Sequence, residues 1–124
     1  MVSAGSAKYN IEKVRLLALN DQTHSFSATR AINCVVSQFQ CSIDDAKKFI
    51  LAEVAKLTKD NFSETVLING IVYDVYGKKI QNVPWYIKFS ICEDDNGEYL
   101  VNMSFHPTEK ELRTATEILE KYSP

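Results

Sequence analysis

The chain of 124 residues has no excess of positive charge, no long apolar run and no paired cysteine motif, and each absence removes a class of function. Its formal charge is −2 and its pI is near 5.7, so no bulk field draws it onto nucleic acid, and any RNA contact has to come from a local patch. No stretch approaches the roughly eighteen apolar residues of a membrane helix, and the start, Met1 to Ala7, lacks the basic and apolar regions of a signal peptide. A cytoplasmic protein with no membrane contact is expected. Cys34, Cys41 and Cys92 are odd in number and form no Cys-x-x-Cys pair, which argues against a disulfide framework or a zinc site. They read as reduced, buried thiols. Glycine-rich phosphate loops, metal motifs and nucleophile elbows are missing too, which disfavours most small-molecule enzymes.

What is present suits one small domain. A 45% hydrophobic fraction with six Phe, six Tyr and one Trp supports a single core. Residues 1–8 are small and polar and read as a flexible leader, leaving 9–124 as the domain. Ile11, Val14, Leu17 and Ala18 recur at helical spacing. Ser25 or Ser27 would cap a second helix through Ala31, Val35, Val36 and Phe39. Ser42 with Asp44 and Asp45 starts a third, with a core stripe of Ala46, Phe49, Ile50, Val54 and Leu57.

After Asp60 the pattern turns to β-branched and aromatic runs, which predict strands at about 63–68, 71–76, 84–92 and 99–106. Asn69-Gly70 and Asp95-Asn96-Gly97 are hairpin signals because Gly accepts the positive φ such turns need. Thr108 to Glu111 reads as a capping box, and Leu112, Ala115, Ile118, Leu119 and Tyr122 then predict a fourth helix over about 108–121. The fold class expected is α+β, with N-terminal helices packed on a small antiparallel sheet and an added C-terminal helix.

Loop length in the last hairpin decides which side chains meet. A three-residue loop closed by a glycine bulge pairs Ile91/Val101, Phe89/Met103 and Ile87/Phe105 on an apolar face. The opposite face then pairs Ser90/Asn102, Lys88/Ser104 and Tyr86/His106. A phenol, an ammonium and an imidazole in one place suit phosphodiester chemistry without a metal, since they can donate a hydrogen bond, balance an anionic phosphorane and move protons. Tyr73, Asp74 and Tyr76 on the neighbouring strand could stack on bases or simply pack across strands. Lys78, Lys79 and Arg30 are further candidate phosphate contacts.

These residues resemble a known family. Phe62, the run Tyr73-Asp74-Val75-Tyr76, the strand Trp85-Tyr86-Ile87-Lys88-Phe89 and the ending Ser104-Phe105-His106 are similar in order and spacing to the MqsR family of type II toxin–antitoxin ribonuclease toxins. Thr29-Arg30-Ala31 resembles that family's early helical segment, so the likeness spans about residues 9 to 106. It implies a RelE-like fold, messenger RNA cleavage without metal or cofactor, and restraint by a cognate antitoxin protein. Tyr86 matches a tyrosine of the family's active site. His106 and Glu64 stand where its best-known members carry lysines, and Tyr73 where they carry a glutamine. Histidine for lysine at 106 keeps proton-transfer capacity, whereas glutamate for lysine at 64 reverses a charge.

Two functions follow as expectations. One is an endoribonuclease toxin in which a 2′-hydroxyl of single-stranded RNA attacks the adjacent phosphate, with His106, Tyr86 and Lys88 catalytic and Tyr73, Glu64, Asp74, Tyr76 and Arg30 binding RNA or supporting the site. The other is a non-catalytic module that uses the same face to bind RNA or an antitoxin. In both, His106 should have an accessible ring ahead of a helix N-terminus whose dipole favours neutral imidazole.

Overall fold

A computed structural model describes residues 6–26 and 29–124. The chain forms α1 (Ile11–Leu19), β1 (His24–Phe26), α2 (Arg30–Phe39), α3 (Ile43–Val54), a single 3-10 turn and β2 (Phe62–Ile68). It continues through β3 (Ile71–Ile80), β4 (Val83–Asp94), β5 (Gly97–Pro107) and two short strands, β6 (Leu112–Arg113) and β7 (Ile118–Leu119).

Two of the three helices, α1 and α3, begin where the chain supplies a side-chain cap. Asn10 accepts from the amides of Glu12 and Lys13 at 2.8 and 3.2 Å, and the Ser42 hydroxyl accepts from Asp45 N–H at 3.0 Å. The expected stripes face inward: Val14 and Ala18 of α1, Ala31 and Val35 of α2, and Ala46, Ile50 and Val54 of α3 are buried. The cap of α2 differs from expectation. Ser25 lies in β1, Ser27 falls outside the described residues, and Thr29 precedes the helix without a side-chain capping bond.

The main sheet has five strands in the order β1-β5-β4-β3-β2. It is mixed rather than purely antiparallel, because β1 pairs parallel to β5, with His24 opposite Leu100. Three residues of strand between two helices are too few to show an alternating pattern, which is why the sequence hides β1. The hairpin at Asn69-Gly70 has positive φ at both positions, 51° and 82°. A second such turn, Gln81-Asn82 at 52° and 66°, contains no glycine and lets β3 run four residues past the expected end at Tyr76.

One face of the sheet carries Phe62, Tyr76, Trp85, Ile87, Phe89 and Phe105 against the three helices. Trp85 stacks on Phe39 of α2 at 5.8 Å between centroids and meets Phe105 at 5.0 Å. Burying aromatic rings of this size contributes several kcal/mol, at about 25 cal/mol per Å² of apolar surface.

The expected fourth helix is absent. Residues 108–122 instead form an extended strap over the sheet's other face. Its backbone groups are satisfied by the sheet and by the strap itself: Ala115 N–H donates to Phe62 O at 2.9 Å, Tyr122 N–H to Thr108 O at 3.1 Å, and the Thr108 hydroxyl to Glu120 O at 2.7 Å. Leu112 and Leu119 are buried against Val75, Val66 and Tyr86, whereas Ile118, part of the expected helical stripe, is exposed. Gly77 makes this possible. A Cβ there would collide with the Leu112 side chain and come within 2.9 Å of Leu119 Cδ1.

Candidate active site

The site face of the sheet is built by β4 and β5. Tyr86 pairs with His106 and Lys88 with Ser104, as the sequence predicts, but for a different reason. The hairpin closes on a two-residue loop, with Asp94 opposite Gly97, and holds that register as far as Phe89 opposite Asn102. A bulge at Met103 then shifts the pairing by one residue before Lys88 meets Ser104. The expected partners nearer the turn are therefore off by one: Ile91 faces Leu100, Phe89 faces Asn102 and Ser90 faces Val101. The bulge also reverses which residues point inward, so Leu100 packs in the helical core before it and Phe105 after it.

Tyr86 and His106 stack, with ring centroids 5.0 Å apart and planes at 18°. His106 is only 8% exposed, so the ring is covered rather than open, and no helix follows it to supply a dipole. Its Nδ1 lies 2.8 Å from Pro107 O. A carbonyl only accepts, so Nδ1 carries the proton and Nε2 is left as the proton acceptor of the neutral ring.

Lys88 Nζ sits 5.7 Å from the Tyr73 ring centroid and 5.8 Å from that of Tyr86. Among the described residues it has no carboxylate within ion-pair distance. Burial, and then the Arg30 guanidinium, hold its ammonium below the ordinary lysine value. Burial, followed by the carboxylates of Glu64 and Glu109, pushes the Tyr86 phenol up, which keeps it protonated and able to donate. Arg30, Tyr86, Lys88, Ser104 and His106 line one cleft of about 410 Å³, walled on the strap side by Glu109, Lys110 and Leu112.

The other expected site residues divide by face. Tyr73 is on the site face but only 6% exposed, its ring taken by Lys88, so it positions the ammonium instead of stacking on a base. Glu64 shares the face, opposite Val75, and lies in an adjoining groove beyond Lys110 and Leu112. Asp74 and Tyr76 are placed on the helical side, contrary to expectation. Asp74 is fully buried and accepts from the backbone amides of Lys8 and Tyr9 at 2.9 and 2.8 Å and from the Thr65 hydroxyl at 2.6 Å. It anchors the N-terminal segment, and that anchor takes in Lys8 of the expected leader. Tyr76 stacks on Phe89 at 5.3 Å within the core. Lys78 also points to the helices, bonded to Glu53 at 2.8 Å.

Glu109, Lys110 and Leu112 were not expected in the site, because Glu109 and Lys110 fit a helix capping box and Leu112 the helical stripe after it. The only sequence hint is Gly77, whose missing side chain leaves room on the sheet for a covering segment. Searches of protein families, curated proteins and solved structures found no match to this chain.

Proposed function

We propose that the cleft is the active site of a metal-independent endoribonuclease, acting as the toxin of a toxin–antitoxin pair and resembling the MqsR family. The observation that carries this reading is the stacked Tyr86–His106 pair beside Lys88, which has no carboxylate partner among the described residues, all lining one cleft. In the reaction the 2′-oxygen of a ribose forms a bond to the adjacent phosphorus while the bond from phosphorus to the 5′-oxygen breaks. His106 Nε2 takes the 2′-hydroxyl proton and later returns it to solvent, and the leaving 5′-oxygen takes a proton from water, giving a 2′,3′-cyclic phosphate and a 5′-hydroxyl. Lys88 balances the charge that develops on the phosphorane, and Tyr86 donates a hydrogen bond to one of its oxygens. Single-stranded RNA fits best, since the target ribose has to leave helical geometry to align its 2′-oxygen for in-line attack.

The RelE-like arrangement belongs to the same proposal, supported by helices packed on one face of the sheet and the cleft on the other. A cognate antitoxin would act by covering the cleft, and a cytoplasmic location follows from a messenger RNA substrate. The low exposure of His106 favours a second reading, a non-catalytic module that binds RNA or antitoxin on this face.

Purified protein incubated with single-stranded RNA in excess chelator separates the two. Fragments ending in cyclic phosphate are expected from the wild type. His106→Ala should cut about 10²-fold more slowly, the scale of a lost general acid or base, and Tyr86→Phe should slow cleavage while keeping the ring stack. Intact RNA with the wild-type protein would leave the binding module as the surviving reading.

A further inference from the structure

Among the described residues, two that line the cleft form an exposed ion pair with each other. Arg30, at the start of α2, and Glu109, at the start of the strap, meet with Nη2 and Oε2 2.7 Å apart, and both line the cleft. Their side chains remain 63% and 67% exposed. Arg30 is thus the cation best shaped for a phosphate, a planar fork of donors, and it is already engaged by a carboxylate of similar geometry.

Resting on the reading of the cleft as a phosphodiester site, we propose that Glu109 is a built-in competitor for the substrate phosphate: it occupies Arg30 in the free protein and is displaced when a phosphate enters. The exposure of the pair sets its strength. A solvated ion pair is weak, so its displacement costs little, and a phosphodiester that reaches Lys88 finds Arg30 within the same cleft. The two cations differ in what opposes an incoming anion. Among the described residues Lys88 has no carboxylate within ion-pair distance, while Arg30 has one. A strand carrying successive phosphates can satisfy both cations, whereas an isolated carboxylate gains only Lys88. Glu109 therefore selects for the polyanion.

The test is binding of a short single-stranded oligodeoxynucleotide, which has no 2′-hydroxyl and cannot be cut by this route. Four proteins are compared by fluorescence anisotropy: wild type, Glu109→Gln, Arg30→Gln and the double variant. Glu109→Gln should tighten binding about three- to fivefold, the scale of an exposed ion pair, and Arg30→Gln should weaken it. In the Arg30→Gln background the Glu109→Gln change should do little, about 1.5-fold or less, because there is no longer a guanidinium to release. Equal tightening in both backgrounds would reduce Glu109 to a general like-charge effect and overturn the proposal. Unchanged or weaker binding by Glu109→Gln would overturn it as well. Both side chains are exposed, so thermal melts of all four proteins should coincide and confirm that the comparison is between folded states. The outcome is separable from the nuclease reading. A wild type that leaves RNA intact yet shows the coupling loses only the cleavage, and one that cuts RNA without the coupling loses only the competitor.

Discussion

Lys88 holds an ammonium half-buried between two phenol rings, with Arg30 near enough to disfavour its charge. Burial and Arg30 oppose what the two rings contribute, and an anion would complete the arrangement. Replacing Lys88 by Met keeps the aliphatic stem against the rings and removes the charge. The expected result is a thermal midpoint equal to or above that of the wild type at neutral pH, with affinity for single-stranded nucleic acid about tenfold or more weaker, as for a lost charge-assisted hydrogen bond. Calorimetry and anisotropy on one preparation check both halves, and a loss of stability would mean that the ammonium is structural. His106, beside it, is covered. Its ring is held by Tyr86 on one side and by the Pro107 carbonyl at Nδ1, so the tautomer is set before any substrate arrives.

At the scale of elements, the strap and the bulge decide the site, and neither is written in hydrophobic periodicity. Leu112, Ala115 and Leu119 fit a helix by spacing, but Ala115 donates to Phe62 of β2 and Leu112 pairs with Leu119 across the strap, so tertiary contacts override the local pattern. The trio of Tyr86, Lys88 and His106 was legible because sorting apolar from polar side chains demands one particular register near the site. The position of the irregularity was not, since a glycine at the turn and a methionine in mid-strand produce the same pairing beyond it. The helices were legible from their caps and stripes, as at Ser42 and Ala46. Asp74 was misplaced because the run Tyr73 to Tyr76 alternates faces, and its carboxylate is spent on the N-terminal backbone. Gly77 gives the element-scale test. Gly77→Ala would force Leu112 and Leu119 off the sheet, and the expected cost is about 1–3 kcal/mol of stability in denaturant melts, the range for an overpacked core. Protease cleavage near residues 108–122 should rise with it. An unchanged melt would show that the strap does not need the close approach.

At the scale of the whole molecule, the helical layer and the sheet are joined by a charge pair as well as by the core. Glu53 of α3 bonds Lys78 of β3 at 2.8 Å and Lys56 at 3.3 Å, with the Glu53 and Lys78 side chains only 11% and 18% exposed. Burial pushes the Glu53 carboxyl up, but the hydrogen bonds and charges of Lys78 and then Lys56 outweigh it, so the net shift is downward from the ordinary 4.5. A carboxyl lowered by folding stabilises the native state at pH values above its unfolded pKa, and that contribution fades as pH falls through the lower folded value. Melting temperature should therefore drop on acidification below about pH 4.5. Glu53→Gln should lose on the order of 3 kcal/mol at neutral pH, because Lys78 is left largely buried without its partner, and should show a flatter acid limb. Parallel acid limbs in the two proteins would assign the pH dependence elsewhere. The strap carries a consequence of another kind, one of timing. Residues 108–122 are synthesised after every strand they cover, at about 5–20 residues per second, so His106 exists for roughly a second before its wall is complete. Glu109, Lys110 and Leu112 join the cleft only as the strap folds back. The ribosome has thus already read past the codons for the site before the site exists.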